Sequence, residues 1–197
     1  MPAAELDPPL RVDWVGAEEL GDGRPGRLGL TFLPGKRGPS TRYPGRIYRR
    51  ELDRDLDALR DAGVRLLLLL VEDGELNRWG DTGIVEAAER RGLRIVRRPL
   101  PDGSAPRSPR EMDEMLSLLG TAREEGDAAV ACMGGVGRTG MVAACALVAA
   151  GTKPDQAIAR VRAVRHPEAV ETEAQVAFVG AYERHVEERG ASATVAP

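Results

Sequence analysis

The pattern of apolar and polar positions divides the chain into strands that alternate with helices. Largely apolar runs of strand length, such as 64–71, indicate strands buried on both faces. Apolar residues three and four positions apart, such as Leu52, Leu56 and Leu59, indicate amphipathic helices. The predicted strands cover residues 28–33, 64–71, 93–96 and 127–132, and the predicted helices cover 49–62, 84–91, 110–125, 138–150, 154–165 and 171–188. This alternation predicts an α/β fold with a central, mostly parallel sheet flanked by helices.

The length of 197 residues is suited to one domain with a single core. Proline, glycine and acidic residues are frequent in 1–26, which predicts an irregular lead-in. Residues 27–190 then form the predicted domain, and 191–197 a disordered tail. Within the domain, 35–46 is expected to be a loop by its composition.

Charge and cysteine content narrow the classes of function. The formal net charge is -3, and no basic run is interleaved with aromatic residues, so we expect no nucleic-acid partner. The longest apolar run, 66–71, is too short to cross a bilayer, and the N-terminus lacks a signal-peptide core. The two cysteines do not form a disulfide framework, which favours a reducing compartment. We therefore expect a cytoplasmic protein without a membrane partner, and a monomer.

One turn between a predicted strand and a predicted helix carries the chemistry. Cys132 ends the strand, and Arg138 follows after five residues, namely Met133, Gly134, Gly135, Val136 and Gly137. Such a turn can curl so that its backbone N–H groups converge on one anion, aided by the positive end of the following helix. These donors favour the thiolate form of Cys132, which is the nucleophilic form. Arg138 would clamp two phosphate oxygens, and Thr139 would donate its hydroxyl to the sulfur as the thiol departs.

Other interpretations of this turn remain to be weighed. Taken singly, a cysteine at a strand end is usually a small core residue, and an arginine at a helix start is usually a surface charge. Gly135, Gly137 and Gly140 match the spacing of a dinucleotide fingerprint, but no second strand with an acidic residue follows. A nucleotide-binding P-loop requires a lysine where Arg138 stands. The joint pattern of cysteine, glycines and arginine therefore favours a thiol-based phosphate site.

A proline-rich loop before this strand supplies a candidate acid. Asp102 lies between Pro101 and Gly103, in the loop that leaves the preceding predicted strand. Its carboxyl group could protonate the leaving oxygen and later accept a proton from water. The alternative is that this segment is a simple turn, since Pro-Asp-Gly is a common turn sequence. Because Cys132 and Arg138 are present in the same chain, the interpretation of Asp102 as a general acid is favoured over a simple turn.

These segments resemble those of a known family. The turn from Cys132 to Gly140 resembles the phosphate loop of protein tyrosine and dual-specificity phosphatases, and the segment from Pro101 to Pro106 resembles their acid loop. The order of Leu33-Pro34-Gly35, Gly74-Glu75-Leu76, the acid loop and the phosphate loop is most similar to the kinase-associated phosphatase group. The resemblance implies hydrolysis of phosphotyrosine, phosphoserine or phosphothreonine on proteins through a phosphocysteine intermediate. It implies no metal and no organic cofactor.

Several residues leave alternatives open. Ala131 stands where the family usually has a histidine that orders the phosphate loop, so we expect reduced activity, with a phosphate-binding pseudophosphatase as the alternative. Met133 and Val136 are not basic, which favours a phosphoprotein over a phosphoinositide. Gln175 could place the hydrolytic water or lie on a helix surface. Cys145 could be a core residue or a redox partner of the nucleophile.

Overall fold

The computed structural model describes residues 6–194, whose centre is a five-stranded sheet. The strands are β1 (Asp13–Val15), β2 (Leu28–Phe32), β3 (Arg37–Pro39), β4 (Ile47–Arg49), β5 (Val64–Leu69), β6 (Arg94–Arg97) and β7 (Asp127–Cys132). The helices are α1 (Ala17–Leu20), α2 (Leu52–Asp61), α3 (Asp73–Trp79), α4 (Ile84–Glu89), α5 (Pro109–Ala122), α6 (Gly137–Ala149), α7 (Pro154–Val164) and α8 (Glu173–Thr194). The predicted α/β class is confirmed.

The order of strands in the central sheet is β1-β2-β7-β5-β6. Strands β2, β7, β5 and β6 run parallel, whereas β1 is antiparallel to β2, which makes the sheet mixed. Cys132 is level with Phe32 of β2, and Ala131 is level with Leu69 of β5. The segments that follow these three strands therefore emerge side by side at one edge of the sheet, where ligands bind in folds of this kind.

Both faces of the sheet are covered by helices, which explains the largely apolar runs. Side chains alternate across a strand, so Val130 and Cys132 join the core under α5, α6, α7 and α8. Ala129, Ala131 and Met133 join the opposite core under α2 and α4. Strand β5 divides its residues between the two cores in the same way. Cys132 is thus carried by a strand that is buried from both sides.

Several short strands and helices were not predicted from the sequence. The expected irregular lead-in contains β1 and α1, and the expected loop 35–46 contains β3 and the turn that leads to β4. Helix α3 was not predicted either. Strands of three residues are too short for a periodic pattern, and β1 is defined by its pairing with β2. Helix α8 continues to Thr194, into the segment expected to be a tail, and residues 1–5 and 195–197 lie outside the described part. The domain boundaries remain a prediction.

The helices are amphipathic or buried elements of a folded core. Helix α6 is almost wholly buried, and α5 places Met112, Met115 and Leu119 against the sheet. Ser108 caps α5 by accepting a hydrogen bond from the Glu111 amide at 3.4 Å. Across residues 6–194, no helix combines the length and the apolarity needed to cross a bilayer.

Candidate active site

The turn between β7 and α6 wraps around the sulfur of Cys132. The Gly135 amide donates a hydrogen bond to Cys132 Sγ at 3.2 Å, and the cysteine is 3% exposed. The turn leads directly into α6, which begins at Gly137. An amide aimed at the sulfur and the positive end of a helix both stabilise negative charge at this point. The turn thus places one backbone donor and the start of a helix at the predicted nucleophile, and its role as a cradle for phosphate remains a prediction.

Gly135 can hold this position only without a side chain. Its φ is 65°, and a Cβ would collide with the carbonyl oxygen of Thr31 on β2. The Gly135 carbonyl accepts a hydrogen bond from Arg165 Nε at 2.9 Å, and the same guanidinium is paired with Asp13 of β1 at 2.7 Å. The chain thus braces the turn from a strand and a helix that are far apart in sequence. Neither Arg165 nor Asp13 was assigned a role from the sequence.

Arg138 is fixed beneath the turn by several acceptors. Its two terminal nitrogens donate to the two carboxylate oxygens of Glu75 at 2.7 and 2.6 Å. Arg138 Nη1 also donates to the Leu100 carbonyl at 2.8 Å, and Arg138 Nη2 is paired with Asp102 Oδ1 at 2.9 Å. Arg138 is 1% exposed, and its Nε has no hydrogen-bond partner among the described residues. A buried N–H without a partner is rare, and this one is left free to donate to a ligand.

Glu75 is the main counter-charge of Arg138, and sequence analysis had noted it only as part of a weak motif. It lies in the first turn of α3, where its carboxylate also accepts from the Glu72 amide at 2.9 Å. Burial raises the pKa of Glu75, but its hydrogen bonds with Arg138 and with the Glu72 amide outweigh burial and hold the pKa below its usual value. Burial lowers the pKa of Arg138, but Glu75, Cys132 and Asp102 outweigh it and raise the pKa. Both groups therefore stay charged at neutral pH.

The loop that carries Asp102 is held by hydrogen bonds to its backbone, while the Asp102 side chain is exposed to solvent. The Asp102 side chain is 81% exposed. Thr172 Oγ1 donates to the Gly103 carbonyl at 2.8 Å, and Gln175 Nε2 donates to the Ser104 carbonyl at 3.3 Å. Gln175 is fully buried at the start of α8, so the alternative that it lies on a helix surface is wrong. Its role in placing water remains a prediction.

A cleft of about 440 Å³ opens above the turn. Its lining comes from the segment after β2, the acid loop, the turn itself and the segment before α8: Lys36, Ser40, Thr41, Arg42, Tyr43, Tyr48, Asp102, Cys132, Met133, Gly134, Val136, Gly137, Glu168 and Glu171. The structure thus brings the predicted nucleophile, the predicted acid and four of the predicted loop residues to one cavity. It also adds Lys36 and Arg42, which sequence analysis had missed because neither carries a motif.

The two remaining candidates are buried in α6. Thr139 is fully buried in the first turn of α6, and its hydroxyl oxygen has no hydrogen-bond partner in the described part of the chain. Cys145 is also fully buried, in the core under α6, and burial raises its pKa. Its thiol is therefore kept protonated, which favours a core role over a redox role. Residues 6–194 contain no group of three His, Cys, Asp or Glu side chains placed to hold a metal ion.

Comparisons with known proteins agree with this geometry. The family model described as PTP-SAK, Swiss Army Knife protein, DSP-PTPase phosphatase domain, matches residues 43–189. The chain is 26% identical to cyclin-dependent kinase inhibitor 3 of Rattus norvegicus over 173 residues, which cover 87% of this chain and 77% of the relative. The same protein of Homo sapiens is 24% identical over 173 residues, with the same coverage of 87% and 77%.

Solved structures give the same assignment of fold. The chain is similar to kinase-associated phosphatase with its catalytic-site cysteine substituted by serine, with a TM-score of 0.78, 23% identity and coverage of 92% of this chain and 98% of the other. It is also similar to Tk-PTP in the active form, with a TM-score of 0.63, 28% identity and coverage of 83% and 93%.

The match to the family model extends over most of the chain and includes the turn, the acid loop and the helices that brace them. The resemblance to the kinase-associated phosphatase group is confirmed by the sequence relatives and by the fold. The chain therefore belongs to the PTP-SAK family of DSP-PTPase phosphatase domains, within the protein tyrosine and dual-specificity phosphatases.

Proposed function

We propose that this protein hydrolyses phosphomonoesters on phosphorylated proteins through a phosphocysteine intermediate. One observation carries the proposal. The sulfur of Cys132, capped by the Gly135 amide, and the carboxylate of Asp102 line the same cleft, and the carboxylate is paired with the buried Arg138 at 2.9 Å. A nucleophile, a phosphate clamp and an acid are the three groups that this reaction needs.

In the first step the Cys132 thiolate attacks phosphorus and forms an S–P bond. The bond between phosphorus and the leaving oxygen breaks, and Asp102 transfers its proton to that oxygen. Arg138 Nε and the amides of the turn hold the phosphate oxygens while charge shifts onto them. The exposure of Asp102, at 81% of its side chain, is suited to this task because a leaving group on a protein surface must reach it.

In the second step water attacks the phosphocysteine. Asp102, now ionised, takes a proton from the water, the S–P bond breaks, and inorganic phosphate leaves. Thr139 stabilises the departing thiolate with its hydroxyl, which has no other partner among residues 6–194. Gln175 lies behind the acid loop, where its hydrogen bond to the Ser104 carbonyl holds that loop to α8. No oxidant, reductant or metal enters these two steps.

A phosphorylated protein is the substrate class that the cleft favours. Met133 and Val136 are apolar, as sequence analysis noted, so the basic groups of the cleft come from elsewhere. One of them, Arg42, is already paired with Glu168 and Glu171. Lys36 is then the one basic residue of the cleft lining without a carboxylate partner among the described residues, which is little positive charge for a ligand with many phosphates. The relatives named kinase-associated phosphatase and cyclin-dependent kinase inhibitor 3 support the same class.

A pseudophosphatase that binds phosphorylated partners is the second candidate, and Ala131 is the observation that favours it. The residue is fully buried and offers the phosphate loop no hydrogen bond from its side chain. The bracing by Arg165 and Glu75 supports the enzyme instead, because it orders the loop and the clamp by other means.

Hydrolysis of p-nitrophenyl phosphate tests the proposal. We expect turnover by the wild type and none above background for Cys132→Ser, with Cys145→Ala as the matched cysteine control that retains activity. Activity in Cys132→Ser equal to the wild type would overturn the proposal. No turnover by the wild type, together with measurable binding of inorganic phosphate, would establish the pseudophosphatase.

A further inference from the structure

Lys36 reaches the phosphate site from a neighbouring strand. Because Phe32 of β2 is level with Cys132 of β7, the segments that follow the two strands run beside each other. Lys36 lies on the first of these segments, and its Nζ donates to the Met133 carbonyl at 3.3 Å. It lines the same cleft as Cys132. A lysine outside the turn thus contacts the residue next to the nucleophile.

The backbone that carries Lys36 is held in place. The Gly35 amide donates to Asp55 Oδ2 at 2.9 Å, and the Arg50 amide donates to the Lys36 carbonyl at 3.3 Å. Asp55 is itself fixed by the Arg50 guanidinium at 2.7 Å, and this ion pair is buried. Gly35 has a φ of 69°, which few other residues adopt. A buried ion pair and a glycine in the left-handed conformation therefore fix the segment that carries Lys36.

The Lys36 ammonium is buried without a paired carboxylate. The residue is 4% exposed, and its Nζ lies 4.2 Å from the centre of the Tyr48 ring. No Asp or Glu oxygen of the described chain lies within 4 Å of it, and Met133 O is its one hydrogen-bond acceptor there. An ammonium has three donors and loses much solvation when buried, so two unused donors are costly unless an anion arrives.

The charged groups around Lys36 identify that anion. The pKa of Lys36 is lowered to about 8, chiefly by burial. Cys132 and Glu75 act to raise this pKa, and Arg42 acts to lower it. Glu75 is already occupied by Arg138 at 2.6 Å. Tyr48 presents a ring face, which attracts a cation but carries no charge. The remaining group that faces the ammonium is the sulfur of Cys132, and after substrate binds, the phosphate above it.

We propose that Lys36 is a second fixed cation of the phosphate site, which stabilises charge on Cys132 in the free protein and holds a phosphate oxygen in the complex. This inference rests on the proposed function, since it assumes that the turn binds phosphate. On this proposal Lys36, in the segment between β2 and β3, takes over part of the role that the usual histidine at position 131 would have in ordering the phosphate site. Arg138 clamps the phosphate from below, and Lys36 approaches it from the side of Met133.

The test uses the fact that the chain contains two lysines, Lys36 and Lys153. Lys36→Met removes the charge at similar length, Lys36→Arg keeps the charge, and Lys153→Met is the matched control on an exposed side chain. Binding of inorganic phosphate is measured by calorimetry, and alkylation of Cys132 by iodoacetamide is followed across pH with peptide mass spectrometry. For Lys36→Met we expect phosphate binding weaker by about tenfold and an alkylation midpoint higher by about one pH unit. Lys36→Arg is expected to retain most of the affinity, and Lys153→Met to match the wild type.

Phosphate binding and alkylation in Lys36→Met equal to the wild type would overturn the inference and leave the proposed function standing. So would weakened binding that Lys36→Arg fails to restore while both variants unfold at a lower temperature, since that pattern indicates a structural role. Failure of turnover in the wild type with the expected loss in Lys36→Met would overturn the enzyme and support the inference. Absence of phosphate binding by the wild type would overturn both.

Discussion

Arg138 and Glu75 form a two-pronged ion pair in which both terminal nitrogens of the guanidinium meet both oxygens of the carboxylate, at 2.7 and 2.6 Å. The pair joins the first turn of α6 to the first turn of α3. It fixes the plane of the guanidinium and leaves Nε without a partner in the described residues. In the proposed mechanism the guanidinium is therefore oriented before substrate arrives, which lowers the entropy lost on binding.

Replacement of Glu75 by Gln should weaken the clamp without removing it. Loss of the charge frees the guanidinium to reorient, and we expect kcat/KM for p-nitrophenyl phosphate to fall about 10- to 100-fold, or roughly 1.4–2.7 kcal/mol in transition-state stabilisation. The pKa of Glu75 is held below its usual value, so the ion pair stabilises the fold above that usual value, and the stabilisation is lost as pH falls through the lowered pKa. Glu114→Gln, on an exposed part of α5, is the control and should leave kcat/KM unchanged. An unchanged kcat/KM in Glu75→Gln would contradict the assigned role.

Two adjacent glycines should respond differently to the same substitution. Gly135 has a φ of 65°, and a Cβ there would collide with the Thr31 carbonyl, whereas a Cβ at Gly134 would have no atom within 4 Å. We expect Gly135→Ala to abolish phosphate binding and to lower the free energy of unfolding by about 2 kcal/mol or more. Gly134→Ala should change both quantities little. Calorimetry and urea denaturation measure them, and equal effects at the two sites would refute the described loop geometry.

The role of Asp102 as acid predicts a dependence on the leaving group. Asp102→Asn removes the proton donor, so we expect kcat to fall about 10²- to 10³-fold for a phosphoserine peptide, whose alkoxide needs a proton. The fall should be much smaller for an aryl phosphate with an acidic phenol. Asp81→Asn, an exposed aspartate distant from the cleft lining, serves as the control. Equal losses for both kinds of leaving group would argue that Asp102 only orients Arg138.

Substitution of Ala131 by the histidine that is usual in the family should destabilise the protein. From sequence alone, the alanine at position 131 was expected to reduce activity. The Ala131 side chain is fully buried in the core under α2 and α4, so the larger ring must displace neighbours. We now expect Ala131→His to lower the free energy of unfolding by about 1–3 kcal/mol. Thermal denaturation measures this change, and a variant as stable as the wild type with higher activity would contradict the prediction.

The buried ammonium of Lys36 predicts an unusual rise of stability with pH. The folded pKa is about 8, against 10.5 for the ordinary side chain, so the unfolded chain binds more protons between these values. Burial of the charge costs stability below pH 8, and this cost disappears as pH rises towards 10.5. The difference in free energy of unfolding between the wild type and Lys36→Met should therefore shift in favour of the wild type by about 2–3 kcal/mol over this range. Urea denaturation at several pH values measures it, and a constant difference would refute the burial of a charged lysine.

Much of the fold was predictable because long periodic segments report burial directly. Strand β7 was predicted at its observed bounds, and the cysteine, the turn and the following helix share one local stretch of sequence. The parts that were missed depend on pairing between distant segments. Lys36 meets Met133 through the β2–β7 register, and Arg165 meets Asp13 across the first and last thirds of the chain. No local pattern marks such partners, and an isolated lysine or arginine in sequence looks like a surface charge.

The most direct test of the central claim is to trap the intermediate. Wild-type protein is mixed with p-nitrophenyl phosphate, quenched with acid within milliseconds to seconds, digested and analysed by mass spectrometry. We expect a phosphoryl group on the peptide that contains Cys132, absent in Cys132→Ser and accumulating further when the hydrolysis step is slowed by Asp102→Asn. Turnover by the wild type with no phosphorylated Cys132, or with the phosphoryl group on another residue, would contradict the claim.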